Sequence, residues 1–240
     1  MGRGVEMKVY DNEMAEEQRQ ADERHADSGS RRHWGEMLQN ITGSWARHIS
    51  ALDVGCGTGR FFWCLRNVEF LLGVDLSPYM LEQARKPLRA ERIDIGRIEL
   101  VCADIFNLDL SGTKFDFVYS IGVLGECAPF SAALCQKLLG SLQSGGKMFV
   151  TIVDAHSRFD GGRYSRKAFV IRVLGKLFPF LPQPFRRYIN RQCASNFMTR
   201  SEIETCFRTV GANKFTIEAY QHPVNTGWQG THYDCLVEIE

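Results

Sequence analysis

At 240 residues, 44% apolar and 24% charged, the chain has the mix of a globular protein able to bury a core without disulfides or a structural metal. A net charge of +1 excludes bulk attraction to nucleic acid or membrane as its organising principle. Eight dispersed cysteines include no CxxC pair and no Cys/His spacing of a zinc site, so no metal centre is expected. They read instead as small buried hydrophobes in a reducing compartment. With no apolar leader and no run near the roughly 20 residues that span a bilayer, the expected setting is cytoplasmic.

The charged run 11–27 (DNEMAEEQRQADERHAD) suits an exposed helix or a mobile lead-in. After Ser28-Gly29-Ser30, Trp34, Leu38 and Ile41 fall at helical spacing, and that helix ends near Thr42-Gly43. A strand–helix alternation follows. Strands are expected at Ile49–Val54, Phe70–Val74, Ile98–Cys102, Phe115–Tyr119 and Lys147–Val153. Between them, helices are expected at Phe61–Arg66, from the Ser77-Pro78 start, and over 130–142. Such alternation implies crossover units and a parallel sheet. The pattern breaks at 155–197. It resumes with a capping box at Thr199 and Glu202, a helix ending at Gly211, and strands near 214–220 and 233–239. The domain boundaries expected are a helical lead-in and cap (1–48), a core (49–154), a basic insertion (155–197) and a closing helix and strand pair (198–240).

The strongest signal is Ala51-Leu52-Asp53-Val54-Gly55-Cys56-Gly57-Thr58-Gly59, a buried strand running into three glycines and then a helix. Glycine permits the sharp turn and lets a ligand approach the main chain. Twenty residues after Gly55, the second strand ends in Asp75, placed to accept hydrogen bonds from ribose hydroxyls. The third ends in Asp104, a second carboxylate at the same sheet edge. A GxGxG loop is tighter than the GxGxxG of nicotinamide dinucleotide sites, which argues against a phosphate-bearing ligand.

These segments resemble class I S-adenosylmethionine-dependent methyltransferases. LDVGCGTG resembles their first motif and GVDLSPYML the second; CADIFNL resembles the adenine segment, FDFVYSIGVLGE the fourth motif, and LQSGGKMFVTIVD the loop and strand after it. The resemblance implies a doubly wound, Rossmann-like α/β fold whose seven-stranded, mostly parallel sheet has its last strand antiparallel. It also implies S-adenosylmethionine as cofactor. Gly55, Cys56 and Gly57 would pass close to its methionine part, and Asp53 would help hold its amino group. Asp75 would take the ribose, with Leu76 and Met80 near the adenine. Asp104 would take the adenine amino group, with Ile105 against the ring. Ser120 and Ile121 would sit beside the methyl donor.

Direct displacement at a sulfonium needs alignment above all, and a base only where the acceptor arrives protonated. Ser120-Ile121-Gly122-Val123 lacks the Asn/Asp-Pro-Pro-aromatic run of amino-directed DNA methyltransferases, and Cys127-Ala128-Pro129 is not a Pro-Cys nucleophile. Nucleic acid is therefore disfavoured, and a small-molecule or lipid-like acceptor is expected. Topology brings His156, after the fifth strand, and His232, in the last hairpin, to the cofactor edge as candidate bases.

The insertion carries nine Lys or Arg against the single acid Asp160. Its apolar stripe from Phe169 to Phe178, beside those charges, fits three roles: peripheral contact with an anionic membrane through 163–191, a lid over the substrate, or an ordinary helical excursion. The function expected is methyl transfer to a small or amphiphilic molecule. The alternatives are a non-catalytic S-adenosylmethionine-binding sensor or partner subunit, and an NAD(P)-dependent oxidoreductase.

Overall fold

A computed structural model describes residues 10–157, 196–222 and 230–240. The basic stretch 163–191 and its expected membrane contact lie outside the described residues. Among those described, no helix is long and apolar enough to cross a membrane.

Seven strands form one sheet: β1 (Ile49–Val54), β2 (Val68–Asp75), β3 (Ile95–Cys102), β4 (Phe115–Ser120), β5 (Leu142–Val153), β6 (Lys214–Gln221) and β7 (Thr231–Glu238). Their order is β3-β2-β1-β4-β5-β7-β6. Strands β1 to β5 pair in parallel, while β7 runs antiparallel to both β5 and β6. Helices α1 (Asn12–Arg24), α2 (Gly29–Gly43), α3 (Pro78–Ala84), α4 (Ala132–Gly140) and α5 (Arg200–Thr209) complete the described fold.

The central strands are covered on both sides, so their alternate residues enter two separate apolar layers. Leu52, Val118, Met148 and Val150 pack with Leu134 and Leu138 of α4 and with Ile203 and Phe207 of α5. Ala51, Phe117, Tyr119 and Phe149 pack with Trp34, Leu38 and Ile41 of α2 and with Leu81 of α3. The stripe on α2 is thus core. The capping box of α5 forms as its sequence implies, Thr199 and Glu202 each satisfying the other's main-chain N–H.

Two expected helices are shorter than their patterns. At Phe61–Arg66 there is one 3₁₀ turn, Phe62–Cys64. Leu65 already turns extended and the Arg66 N–H goes to Thr42 Oγ1, because the chain must reach the start of β2 at Val68. The helix expected over 130–142 ends at Gly140, since Leu142 to Gly146 already belong to β5. The charged run 11–27 is a capped helix rather than a loose segment, Asp11 accepting from the Met14 N–H.

Strand order reverses between β1 and β4, and the crevice beyond their carboxyl ends is where such a sheet can hold a ligand.

Candidate functional site

A cavity of about 570 Å³ opens at that edge. Its floor is the glycine loop. The N–H groups of Gly55 and Cys56 both donate to the Val74 carbonyl, folding the loop back over β2. Gly55 has φ +75°, and a Cβ there would stand 2.5 Å from Val123. Gly57 also has positive φ, but a Cβ there would meet no atom within 4 Å, so this main chain faces open space. Asp75 fixes the loop: Oδ2 accepts from the Gly57 N–H at 2.8 Å and Oδ1 from the Ser77 N–H at 2.9 Å. Burial pushes its carboxyl above the usual range.

Of the residues expected at the cofactor, Gly55, Cys56, Gly57, Asp75, Leu76, Met80, Asp104, Ile105 and Ile121 all line this cavity. Asp104 also orders its own turn, accepting from the Phe106 N–H and from Asn107 Nδ2. Two others stand behind the wall. Ser120 is fully buried and donates to the Val54 carbonyl at 2.8 Å, tying β4 to β1. Asp53 is buried beneath the loop beside the Tyr119 hydroxyl, and burial raises its pKa to about 7 against the opposing influence of Tyr119 and Arg60.

The roof comes from the charged N-terminal run. Ala15, Gln18 and Asp22 share one helical face, and Asp22 is wholly buried. Asp22 accepts from Arg31 Nη2 at 2.5 Å, from Gln18 Nε2 at 2.9 Å and from the Thr58 hydroxyl of the glycine loop. Arg60 Nη1 stands 3.9 Å away. Burial works to raise this carboxyl, but Arg60, Arg31 and Thr58 outweigh it and hold it below its ordinary range. The Ser77 hydroxyl donates to the Tyr10 carbonyl and Arg19 to the Lys86 carbonyl, so the roof is pinned at three places. Sequence reasoning missed Asp22 as a site residue. Its i, i+7 spacing from Ala15 is the signal that could have found it.

The far end holds two imidazoles. His222 Nε2 and His232 Nδ1 are 2.9 Å apart, and His232 Nε2 lies 3.9 Å from Glu126 Oε2. The Trp34 ring meets both imidazoles edge-on, at 5.1 Å for His232 and 5.6 Å for His222. Asp234 sets Trp34, accepting from its Nε1 at 2.9 Å and sharing a proton with His33 Nε2 at 2.6 Å. His33 in turn stacks on Tyr220 at 4.0 Å. Burial, then His232 and His33, push the pKa of His222 down to about 4. Of the two expected bases, His232 lines the cavity. His156 is exposed and is not among the lining residues, its own N–H turned to Asp154 Oδ1. Sequence reasoning also missed His222, His33 and Asp234, which no local motif marks.

The arrangement therefore offers an exposed main-chain cradle with two carboxylates at one end, apolar walls, and a dry pair of imidazoles at the other. Residues 51–146 match the family model described as a methyltransferase domain. The chain is 33% identical over 88 residues to an O-methyltransferase of Pyrenophora dematioidea, covering 36% of this chain and 32% of that protein. It is 34% identical over 98 residues to a "Probable fatty acid methyltransferase" of Pseudomonas putida, covering 40% of this chain and 24% of that one. The chain thus spans a third or less of the length of these two curated relatives. Its fold is similar to that of magnesium protoporphyrin IX methyltransferase from Synechocystis PCC 6803 bound to S-adenosylhomocysteine, with TM-score 0.55 and 14% identity over 88% of this chain and 84% of that one. The domain match runs from β1 to the start of β5, the stretch that carries the glycine loop, Asp75 and Asp104, and on that ground the chain belongs to the class I S-adenosylmethionine-dependent methyltransferase family.

Proposed function

We propose that this chain transfers a methyl group from S-adenosylmethionine to a small or amphiphilic acceptor. The observation that carries the reading is continuity. One cavity joins Gly57, Asp75 and Asp104 to Trp34, His222 and His232, so a donor and an acceptor would share it. The open space at Gly57 fits a cofactor without phosphates lying against main chain. Asp75 would bind the ribose, and Asp104 the adenine amino group between Leu76, Met80 and Ile105. Gly55, Cys56 and Gly57 would run along the methionine part, with Ile121 near the transferred group. The guanidiniums of Arg31 and Arg60, two cations on one carboxylate, would leave positive charge for the methionine carboxylate. Asp53 and Ser120 would act from behind the wall, by shaping it.

S-adenosylmethionine, when bound, supplies a methyl group already activated on sulfur. The chain's task is then to fix the acceptor in line with that methyl, to exclude water, and to take a proton where the acceptor carries one. Trp34 supplies a flat apolar wall, and His232 stands as the candidate base. His156 keeps that role only if it can approach from outside the cavity. The names of the two relatives, one an O-methyltransferase and one acting on fatty acids, support a small or lipid-like acceptor.

Titration calorimetry with S-adenosylhomocysteine tests the reading. Binding at micromolar strength is expected, with Gly57→Val abolishing it in a folded protein. Absence of binding to the wild type overturns it. The same experiment with NAD and NADP should give no heat.

A further inference from the structure

We propose that His222 is a positioning residue that fixes the tautomer of His232, so that His232 acts as general base through Nε2 on an acceptor hydroxyl. This rests on reading the cavity as the site of methyl transfer.

The geometry leaves one nitrogen of His232 for chemistry. Its Nδ1 is 2.9 Å from His222 Nε2, and a single proton lies between them. If His222 donates that proton, His232 carries its own on Nε2 and cannot act as a base there. If His232 donates it, Nε2 has a lone pair on the side where Glu126 stands at 3.9 Å, too far for a direct hydrogen bond. Both His232 and Glu126 line the cavity.

The surroundings favour the second arrangement once a proton arrives. An imidazolium on His232 needs a partner at both nitrogens. His222 Nε2 can receive the Nδ1–H, and the carboxylate of Glu126 faces the Nε2–H. His222 itself resists protonation, because burial and the nearby His33 and His232 push its pKa to about 4. The captured proton therefore stays on His232. The groups facing this pair come from every element around it: Glu126 from the loop after β4, His33 and Trp34 from α2, Tyr220 from β6, and Asp234 from β7, whose two oxygens are taken by Trp34 and His33.

The same environment selects the acceptor. A site that keeps an imidazole neutral also disfavours an ammonium ion, whereas a neutral hydroxyl enters without a charge and has a proton to give up. A phenol suits best, its ring lying against Trp34. In the step, an acceptor oxygen lone pair forms the C–O bond as the methyl–sulfur bond breaks and its electron pair stays on sulfur. The hydroxyl proton goes to His232 Nε2. The products are the methyl ether, S-adenosylhomocysteine and one proton, released from His232 to solvent.

The test is nitrogen NMR of ¹⁵N-histidine-labelled protein with S-adenosylhomocysteine bound. Above the titration of His232, the wild type should show it with hydrogen on Nδ1 and a bare Nε2. His222→Gln retains an acceptor oxygen and should keep that tautomer, whereas His222→Phe should lose it. Methyl transfer to 2-naphthol should fall on the order of 10-fold in His222→Phe and recover in His222→Gln. It should fall on the order of 100-fold in His232→Gln. Circular dichroism and S-adenosylhomocysteine affinity, both unchanged in His222→Gln, separate this from misfolding. Hydrogen on Nε2 in the wild type, or a tautomer indifferent to His222→Phe, overturns the proposal. So does faster methylation of 2-(aminomethyl)naphthalene than of 2-naphthol. Failure to bind S-adenosylhomocysteine would instead overturn the methyl-transfer reading on which it rests.

Discussion

The two ends of the cavity are built on different scales. At the cofactor end, the glycine loop and Asp75 lie within 21 consecutive residues, and Asp75 holds the loop through the Gly57 N–H. At the acceptor end, Trp34 meets Asp234 across 200 residues of sequence, and His222 meets His232 across the last hairpin. The first end is main chain held in shape by one carboxylate. The second is a side-chain network held by packing. Binding and folding should therefore be hard to separate at the first end and easy to separate at the second, and the expected mutational effects rank accordingly.

The largest effect is expected from Asp75→Ala. It removes a buried carboxylate that accepts two main-chain N–H groups, leaving both without their partner. A stability loss of about 3 kcal/mol is expected by urea denaturation, together with loss of S-adenosylhomocysteine binding by calorimetry. Intact stability with lost binding would break the comparison, because the loop would then be self-supporting.

Asp53→Asn should move stability the other way. The folded state holds the Asp53 proton up to about pH 7, whereas the unfolded chain releases it near pH 4. Between those values the folded state binds more protons, so this group's contribution to stability declines as pH rises through that window. The amide variant escapes the decline and should be more stable than wild type by about 2 kcal/mol at pH 8, with the gap closing toward pH 4. Asp22 has the opposite sign. Its folded pKa is lowered, so its contribution is present above the unfolded value and lost as pH falls below it. Thermal melts of the ligand-free protein from pH 3 to 9 resolve the two.

What the sequence disclosed follows the same division. The glycine loop, Asp75, Asp104 and the strand order were legible because a sharp turn and a close main-chain approach demand glycine at fixed spacing, and a strand end demands the carboxylate. The α4 boundary was misread because Ser144-Gly145-Gly146 looks like a helix stop, whereas the register of β4 against β5 draws Leu142 into the sheet. Asp22 was hidden among exposed charges of the same helix, its burial set by partners 9 and 36 residues away. His232 was placed by topology, but nothing local announced that its partner would be His222 or that Asp234 would set Trp34.

Asp234→Asn tests the independence of the acceptor end. The amide keeps the volume and can still accept from Trp34 Nε1, but it loses the charge shared with His33, which is partly exposed. A loss of about 1 kcal/mol is expected, with S-adenosylhomocysteine affinity unchanged within threefold. A tenfold loss of affinity would mean that the network reaches the cofactor end through α2.

The smallest effect concerns the roof that spans both ends. Arg19 donates to the Lys86 carbonyl at 2.7 Å and pairs with Glu23 on its own helix. The residue is largely shielded but at the surface, so Arg19→Ala should cost about 0.5 kcal/mol in global stability. Its informative consequence is local. Helix α1 is held down by Tyr10 at one end, Asp22 at the other and Arg19 between them. Losing the middle tether should speed amide hydrogen exchange across Asn12–Arg24 several-fold, and the α4 and α5 amides should not respond. Because Asp22 closes on Thr58 of the glycine loop, bound S-adenosylhomocysteine should reverse the change. If exchange in α1 stays at the wild-type rate, Asp22 with its two guanidiniums holds the roof alone, and the roof belongs to the cofactor end rather than to both.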